Sequence, residues 1–177
     1  MLNPFDLNDA LDSMVVLIDT REQPTLQAKR RYDAFGVPYE RKKLDFGDYS
    51  AKFKLPGGDW YSLENTAIIE RKMSFDELCM CFCQQRGRFE REFERIKASG
   101  AKCYLLIENA TWEKAYNGQY RSQMRSNSLI ASILAYTARY NAVPVFCKAE
   151  TSGKLIHDIL FREGKEALER VLDVADN

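Results

Sequence analysis

The sequence predicts an α/β fold, a sandwich in which helices flank a central mixed sheet. Three observations predict it. Short apolar runs that end at an acid, VVLID at 15–19 and CYLLIE at 103–108, read as strands buried on both faces. Between such runs lie segments whose apolar residues recur at helical spacing. Two further β-prone stretches meet at a turn at Phe46-Gly47. A hairpin within an otherwise alternating strand–helix order makes the sheet mixed.

Each element follows from local chemistry. Residues 1–14 are an N-terminal extension, acidic and without the apolar core of a secretion signal. After the 15–19 strand, Pro24 to Phe35 is a helix closed by Gly36. Tyr39–Leu44 and Asp48–Phe53 are strands, and the Pro56-Gly57-Gly58-Asp59 turn returns the chain into Trp60–Leu63. Ala67–Lys72 is the next strand. Ser74 then caps a helix, with Glu77 completing a capping box. Phe75, Leu78, Phe82, Phe89, Phe93 and Ile96 form its apolar stripe, with a break at Gln85-Arg86-Gly87 and an end at Gly100. Trp112–Tyr116 is a short helix, Asn117–Asn127 a polar loop, Ser128–Tyr140 a helix and Val143–Cys147 a strand. The strands at 15–19, 103–108 and 143–147 are expected to be central. Thr151 or Ser152 caps a helix carrying Leu155, Ile156, Ile159 and Leu160. Leu168, Val171, Leu172 and Ala175 continue as a separate amphipathic segment. Residues 15–163 are thus one domain and 164–177 a C-terminal helix or tail.

Composition narrows the function. The chain has 177 residues, 45% hydrophobic and 29% charged, the profile of a globular domain. No apolar run approaches the roughly 20 residues a membrane span needs. Lys plus Arg equals Asp plus Glu at 26 each, so bulk positive charge does not hold a nucleic acid here. Any contact with DNA would have to come from local basic patches or through metal ions that offset a carboxylate cluster. Five cysteines without a secretory context point to reduced thiols in a cytosol, and the small format to a bacterial or phage protein. The Cys79-x-Cys81-x-Cys83 spacing lacks the two-residue gap of zinc knuckles.

Acids stand at strand ends and turns: Asp19 and Glu22 in IDTRE, Asp48 in FGDY, Glu70 in IIERK, and Asp76 beyond it. Side chains alternate on a strand, so Glu70 and Lys72 share one face and Arg71 takes the other. A carboxylate beside an ammonium on a rigid strand suits phosphodiester hydrolysis. The carboxylate ligates a hard cation with a second acid from a neighbouring strand, for which Asp48 is the candidate. The ion activates water and offsets charge, and the lysine orients that water. Taken alone, an acid-x-Lys triplet reads as a solvated strand end with an ion pair, since the pattern recurs by chance in any charged protein.

The residues around it are more specific. Asp19-x-Arg21-Glu22, then Gly47-Asp48-Tyr49, then Glu70-Arg71-Lys72 with Asp76 four places on, resembles the signature of the XPF-type structure-specific endonucleases, a branch of the PD-(D/E)xK nucleases. Gly87-Arg88, the Leu106-Ile107-Glu108 strand end and Pro144-Val145-Phe146 extend the likeness over residues 15 to 162. The resemblance implies a restriction-endonuclease-like three-layer α/β/α sandwich and a Mg²⁺- or Mn²⁺-dependent DNA endonuclease. Its substrates would be branched or flap DNA in repair, recombination or replication. It implies Asp48, Glu70, the backbone carbonyl of Arg71 and Asp19 as metal ligands, Lys72 serving the attacking water, and Arg21, Glu22 and Asp76 completing or orienting the site. It also implies a homodimer. Relatives carry a tandem helix-hairpin-helix module after the nuclease, for which 164–177 leaves no room, so further grip on DNA is expected from a dimer mate or a helper DNA-binding protein. Arg21, Arg86, Arg88, Arg121 and Arg125 are candidate DNA contacts. The alternative function is a non-catalytic scaffold that binds DNA or a partner through the same fold.

Overall fold

In the computed structural model the backbone is described for residues 4–175 and the side chains for 6–171. The expected apolar positions Leu172 and Ala175 lie outside the described side chains. The chain divides into two compact units, Met1–Ile68 with Gly153–Asn177, and Ile69–Ser152.

The first unit holds α1 (Pro4–Asp12), β1 (Val15–Asp19), α2 (Leu26–Asp33), β2 (Tyr39–Lys42), β3 (Tyr49–Lys54), β4 (Trp60–Ser62), the start of β5 (Ala67–Lys72) and most of α7 (Ala149–Ala175). β1 runs parallel to β2, with Asp19 opposite Lys42, and antiparallel to β3, with Ile18 opposite Tyr49. β4 returns antiparallel on β3, and β5 is the next strand in order. Val16, Leu17 and Ile18 are fully buried, as the unbroken apolar run demands. The extension folds into α1, and its Ala10 and Leu11 are buried. α2 is capped by Thr25, whose hydroxyl accepts the Ala28 N–H at 3.1 Å.

The C-terminal region departs from expectation. It is one 27-residue helix, not a helix followed by a separate segment. Ser152 does not cap it. Its hydroxyl donates to the Ala149 carbonyl at 2.9 Å from inside the first turn. Gly164, at the boundary expected for the C-terminal segment, lies inside the helix and makes a close contact. A Cβ there would lie 2.1 Å from the Phe53 ring, and one at Gly153 would lie 2.3 Å from the Arg31 carbonyl. Two glycines let α7 close against β3 and α2.

The second unit holds the rest of β5, then α3 (Phe75–Cys83), α4 (Arg86–Ser99), β6 (Lys102–Glu108), α5 (Trp112–Tyr116), α6 (Ser126–Tyr140) and β7 (Val143–Cys147). β6 lies beside β5 and pairs in parallel with β7, Glu108 opposite Cys147. β7 is not central. It ends the strand order and is half-buried along its length. An edge tolerates Pro144, which has no N–H for a ladder. Ser74 caps α3, accepting the Glu77 N–H at 3.3 Å. Glu77 reaches back to the N–H of Met73, one residue earlier than a capping box requires. The stripe breaks where expected, between α3 and α4. Phe82, Phe89, Phe93, Tyr136 and Tyr140 form its ring cluster, with centroids 4.9 to 5.8 Å apart. The fold is α/β with a mixed sheet and flanking helices, as predicted, but β2 and β3 form no hairpin across Phe46-Gly47, because β1 lies between them, parallel to one and antiparallel to the other.

Candidate active site

In the first unit the candidate residues gather where β1 ends. Asp19 is fully buried. Its Oδ1 accepts the Arg21 backbone N–H at 2.7 Å and Arg21 Nε at 2.6 Å, and its Oδ2 accepts Arg21 Nη2 at 3.2 Å and the Leu44 N–H at 2.8 Å. Burial pushes this carboxyl up, but the Arg21 and Leu44 donors together hold it below the usual carboxylate range. The Asp19 N–H in turn donates to the Asp48 carbonyl at 2.8 Å. Asp48 is half-exposed and follows Gly47, whose φ of 73° is one that glycine adopts without strain.

Glu22 is tied into a buried network. Its Oε1 accepts Arg31 Nη1 at 2.9 Å and the Tyr49 hydroxyl at 2.8 Å, and Arg31 Nη1 also donates to Tyr49 at 3.1 Å. Arg41 donates to the carbonyls of Thr20 and Glu22 at 2.9 and 2.8 Å. Arg21, Arg31 and Arg41 thus fasten the turn after β1. Sequence reasoning missed Arg31 and Arg41. Tyr49 stands next to Asp48 in the motif, but nothing in the sequence marks Arg31.

In the second unit, Glu70 and Lys72 share a face of β5 and are hydrogen-bonded to each other, both buried. The Lys72 ammonium also lies 5.2 Å from the centroid of the Phe89 ring, a cation–π contact from α4. Arg71 takes the opposite face and donates to fully buried Glu108 at 3.2 Å. Strand alternation predicts both placements. The role of Glu108 was missed, although an acid closing the apolar run of β6 is its signal. Burial pushes the thiol of Cys81, near this pair, up to about 11.

Asp76 does something the sequence did not foretell. Its Oδ1 accepts the backbone N–H groups of Arg121 and Ser122 at 2.8 and 2.7 Å, and its Oδ2 accepts Arg121 Nε at 3.3 Å. Burial pushes its carboxyl up, but these donors hold it below the usual range. Of the candidate DNA contacts, Arg21, Arg86, Arg88, Arg121 and Arg125 are all exposed. Arg21 is bound to Asp19, Arg86 to Glu90 at 2.9 Å and Arg121 to Asp76.

No group of three or more His, Cys, Asp or Glu side chains forms a ligand cluster among the described residues. The acids at the candidate positions offer hard oxygen donors. Mg²⁺ and Mn²⁺ accept such donors, and Mg²⁺ commonly takes only one or two protein carboxylates, keeping waters and substrate phosphates as its other ligands. The residues present fit that kind of ion. His157, on α7, pairs with Asp158.

The ERCC4 domain profile matches residues 18–159. The fold is similar to that of XPF from Aeropyrum pernix, with TM-score 0.58 and 21% identity over 82% of this chain and 59% of that one. Against XPF from Aeropyrum pernix in complex with DNA, the TM-score is 0.59 and the identity 22%, over 86% of this chain and 66% of that one. The chain therefore spans less than two thirds of either structure's length. A search of the curated proteins finds no match. The profile reaches from the end of β1 into α7, taking in Asp19, Asp48, Glu70, Lys72 and Asp76, and on that match the chain belongs to the ERCC4 domain family.

Proposed function

We propose that this chain is a divalent-metal-dependent DNA endonuclease that hydrolyses phosphodiester bonds at branched or flap structures. The observation that carries the reading is the buried Glu70–Lys72 pair on β5, within an ERCC4 domain. Asp48, Glu70 and the Arg71 carbonyl are the proposed ligands of Mg²⁺ or Mn²⁺. When bound, the ion supplies positive charge at the scissile phosphate and lowers the pKa of a water.

The chain's own residues do the rest. Lys72 presents an ammonium whose position is set by Glu70 and Phe89, suited to holding the attacking water and adding charge where the transition state needs it. Arg71 is anchored by Glu108, which fixes the peptide between Glu70 and Lys72. Asp19, with both oxygens engaged, orders the turn after β1, and its N–H donates to the Asp48 carbonyl. Glu22 and Tyr49 hold the same turn to α2 through Arg31. The exposed arginines 21, 86, 88, 121 and 125 supply phosphate contacts, which a chain of zero net charge needs locally.

A homodimer or a helper DNA-binding protein adds grip in this reading, and sedimentation at low micromolar concentration tests the first. On α7, Ile156, Leu160, Ala167 and Leu168 are buried within the chain, while Leu155 and Ile159 are half-buried and would be the part of its apolar face open to a mate. No helix among the described residues is long and apolar enough to cross a membrane. Incubating the chain with duplex, single-stranded, 3′-flap, forked and four-way-junction DNA, with and without Mn²⁺, tests the function. Cutting of a branched substrate only with metal is expected. Binding without hydrolysis across the panel would support the non-catalytic scaffold.

A further inference from the structure

The loop at 117–125, between α5 and α6, is polar and without regular structure, yet it is pinned at several points to the first half of α3. Asp76 takes two consecutive backbone N–H groups on one oxygen. Ser122 lies beside Cys79, on the next turn of α3. Tyr120 packs edge-on against Phe75, centroids 6.0 Å apart, and its hydroxyl donates to the Met124 carbonyl at 2.7 Å. The Arg121 side chain remains 95% exposed while it touches Asp76, so that ion pair is weak and solvent-screened. The backbone bonds make the anchor, and the guanidinium is what the anchor displays. β5 ends at Lys72 and α3 starts at Phe75, so the loop is held within a few residues of the Glu70–Lys72 pair.

We propose that Asp76 is a positioning residue that clamps this loop so that Arg121 meets a DNA phosphate, and that it acts through the loop rather than by ligating metal. The inference rests on the nuclease reading for its substrate. Both Asp76 oxygens are already engaged by the loop, which leaves the carboxylate poorly placed for an ion. Freezing the loop beforehand removes an ordering cost that DNA binding would otherwise bear.

Asparagine separates the two roles. Its side-chain oxygen still accepts both N–H groups, whereas it is a poor substitute for a carboxylate on Mg²⁺. Binding of a labelled flap DNA is measured by fluorescence anisotropy in EDTA, using the whole chain and its Asp76→Ala, Asp76→Asn and Arg121→Ala variants. Asp76→Ala and Arg121→Ala should each weaken binding by about 3- to 10-fold and reduce the slope of log affinity against log salt by about one. Asp76→Asn should stay within about twofold of the unsubstituted chain. Equal affinity for Asp76→Ala in EDTA, with only its Mn²⁺ requirement for cutting raised, would overturn the clamp in favour of a metal ligand. Should Asp76→Ala not fold, an Asp76→Asn variant that binds worse than twofold, or an Arg121→Ala variant that binds normally, overturns it equally. If the unsubstituted chain cuts flap DNA, these outcomes bear on the clamp alone. Failure of that chain to bind DNA would overturn the nuclease reading and the clamp with it.

Discussion

Lys72 is held by a carboxylate and an aromatic ring in a site where it is 8% exposed. A buried charge whose partner is removed is costly, because the remaining charge has lost both water and its counter-ion. Lys72→Met should therefore destabilise the chain by about 3 kcal/mol, measured by urea unfolding without metal. Adding Glu70→Gln to it should recover much of that loss; a double variant as unstable as the sum of both would contradict the pairing. Asp19 offers a pH test. Its folded carboxyl lies below the usual carboxylate range, so its contribution is complete above that range and disappears as pH falls through the lower folded value. Asp19→Asn should lower the urea midpoint at about pH 6, and the difference should shrink as the pH drops below the ordinary carboxylate range. A difference independent of pH would mean that the Arg21 and Leu44 donors do not set its ionisation.

At the scale of elements, the two close-packed glycines of α7 are the sharpest case. Alanine in a helix interior ordinarily gains up to about 1 kcal/mol over glycine. Here Gly164→Ala would drive a methyl into the Phe53 ring and Gly153→Ala one into the Arg31 carbonyl. Both should lose about 1–3 kcal/mol in urea unfolding. Phe53→Leu should relieve the first, since a ring can be replaced, whereas no side-chain change relieves a clash with backbone. A stabilised Gly164→Ala would show that α7 does not close on β3 there. These same glycines explain what was and was not legible in the sequence. β1, β5, α5 and β7 were readable to the residue, because period and composition act locally on them. The continuity of α7 was not, since a glycine kept for close approach looks the same in sequence as one that ends a helix. The edge position of β7 was also hidden, because an apolar run does not reveal how many neighbours it has. In the site, the shared face of Glu70 and Lys72 followed from alternation alone. The Glu22–Arg31–Tyr49 network and the Asp76 clamp join residues 9 to 46 positions apart and depend on tertiary packing that no local pattern encodes.

For the whole molecule, equal numbers of acids and bases give no general positive field, so the proposed function relies on placed arginines and a metal to hold DNA. The account stands on Glu70 being needed for chemistry and not for binding. Glu70→Gln is nearly isosteric and still gives Lys72 an oxygen to bond, but it removes the counter-ion of a buried ammonium, so urea unfolding first confirms that the variant is folded. The most direct measurement is the single-turnover rate of flap cleavage in Mn²⁺ for the unsubstituted chain and Glu70→Gln, each saturating the DNA. The account predicts a rate at least about 100-fold lower for the variant, with its affinity for the same DNA in Ca²⁺ little changed. Equal rates would contradict it.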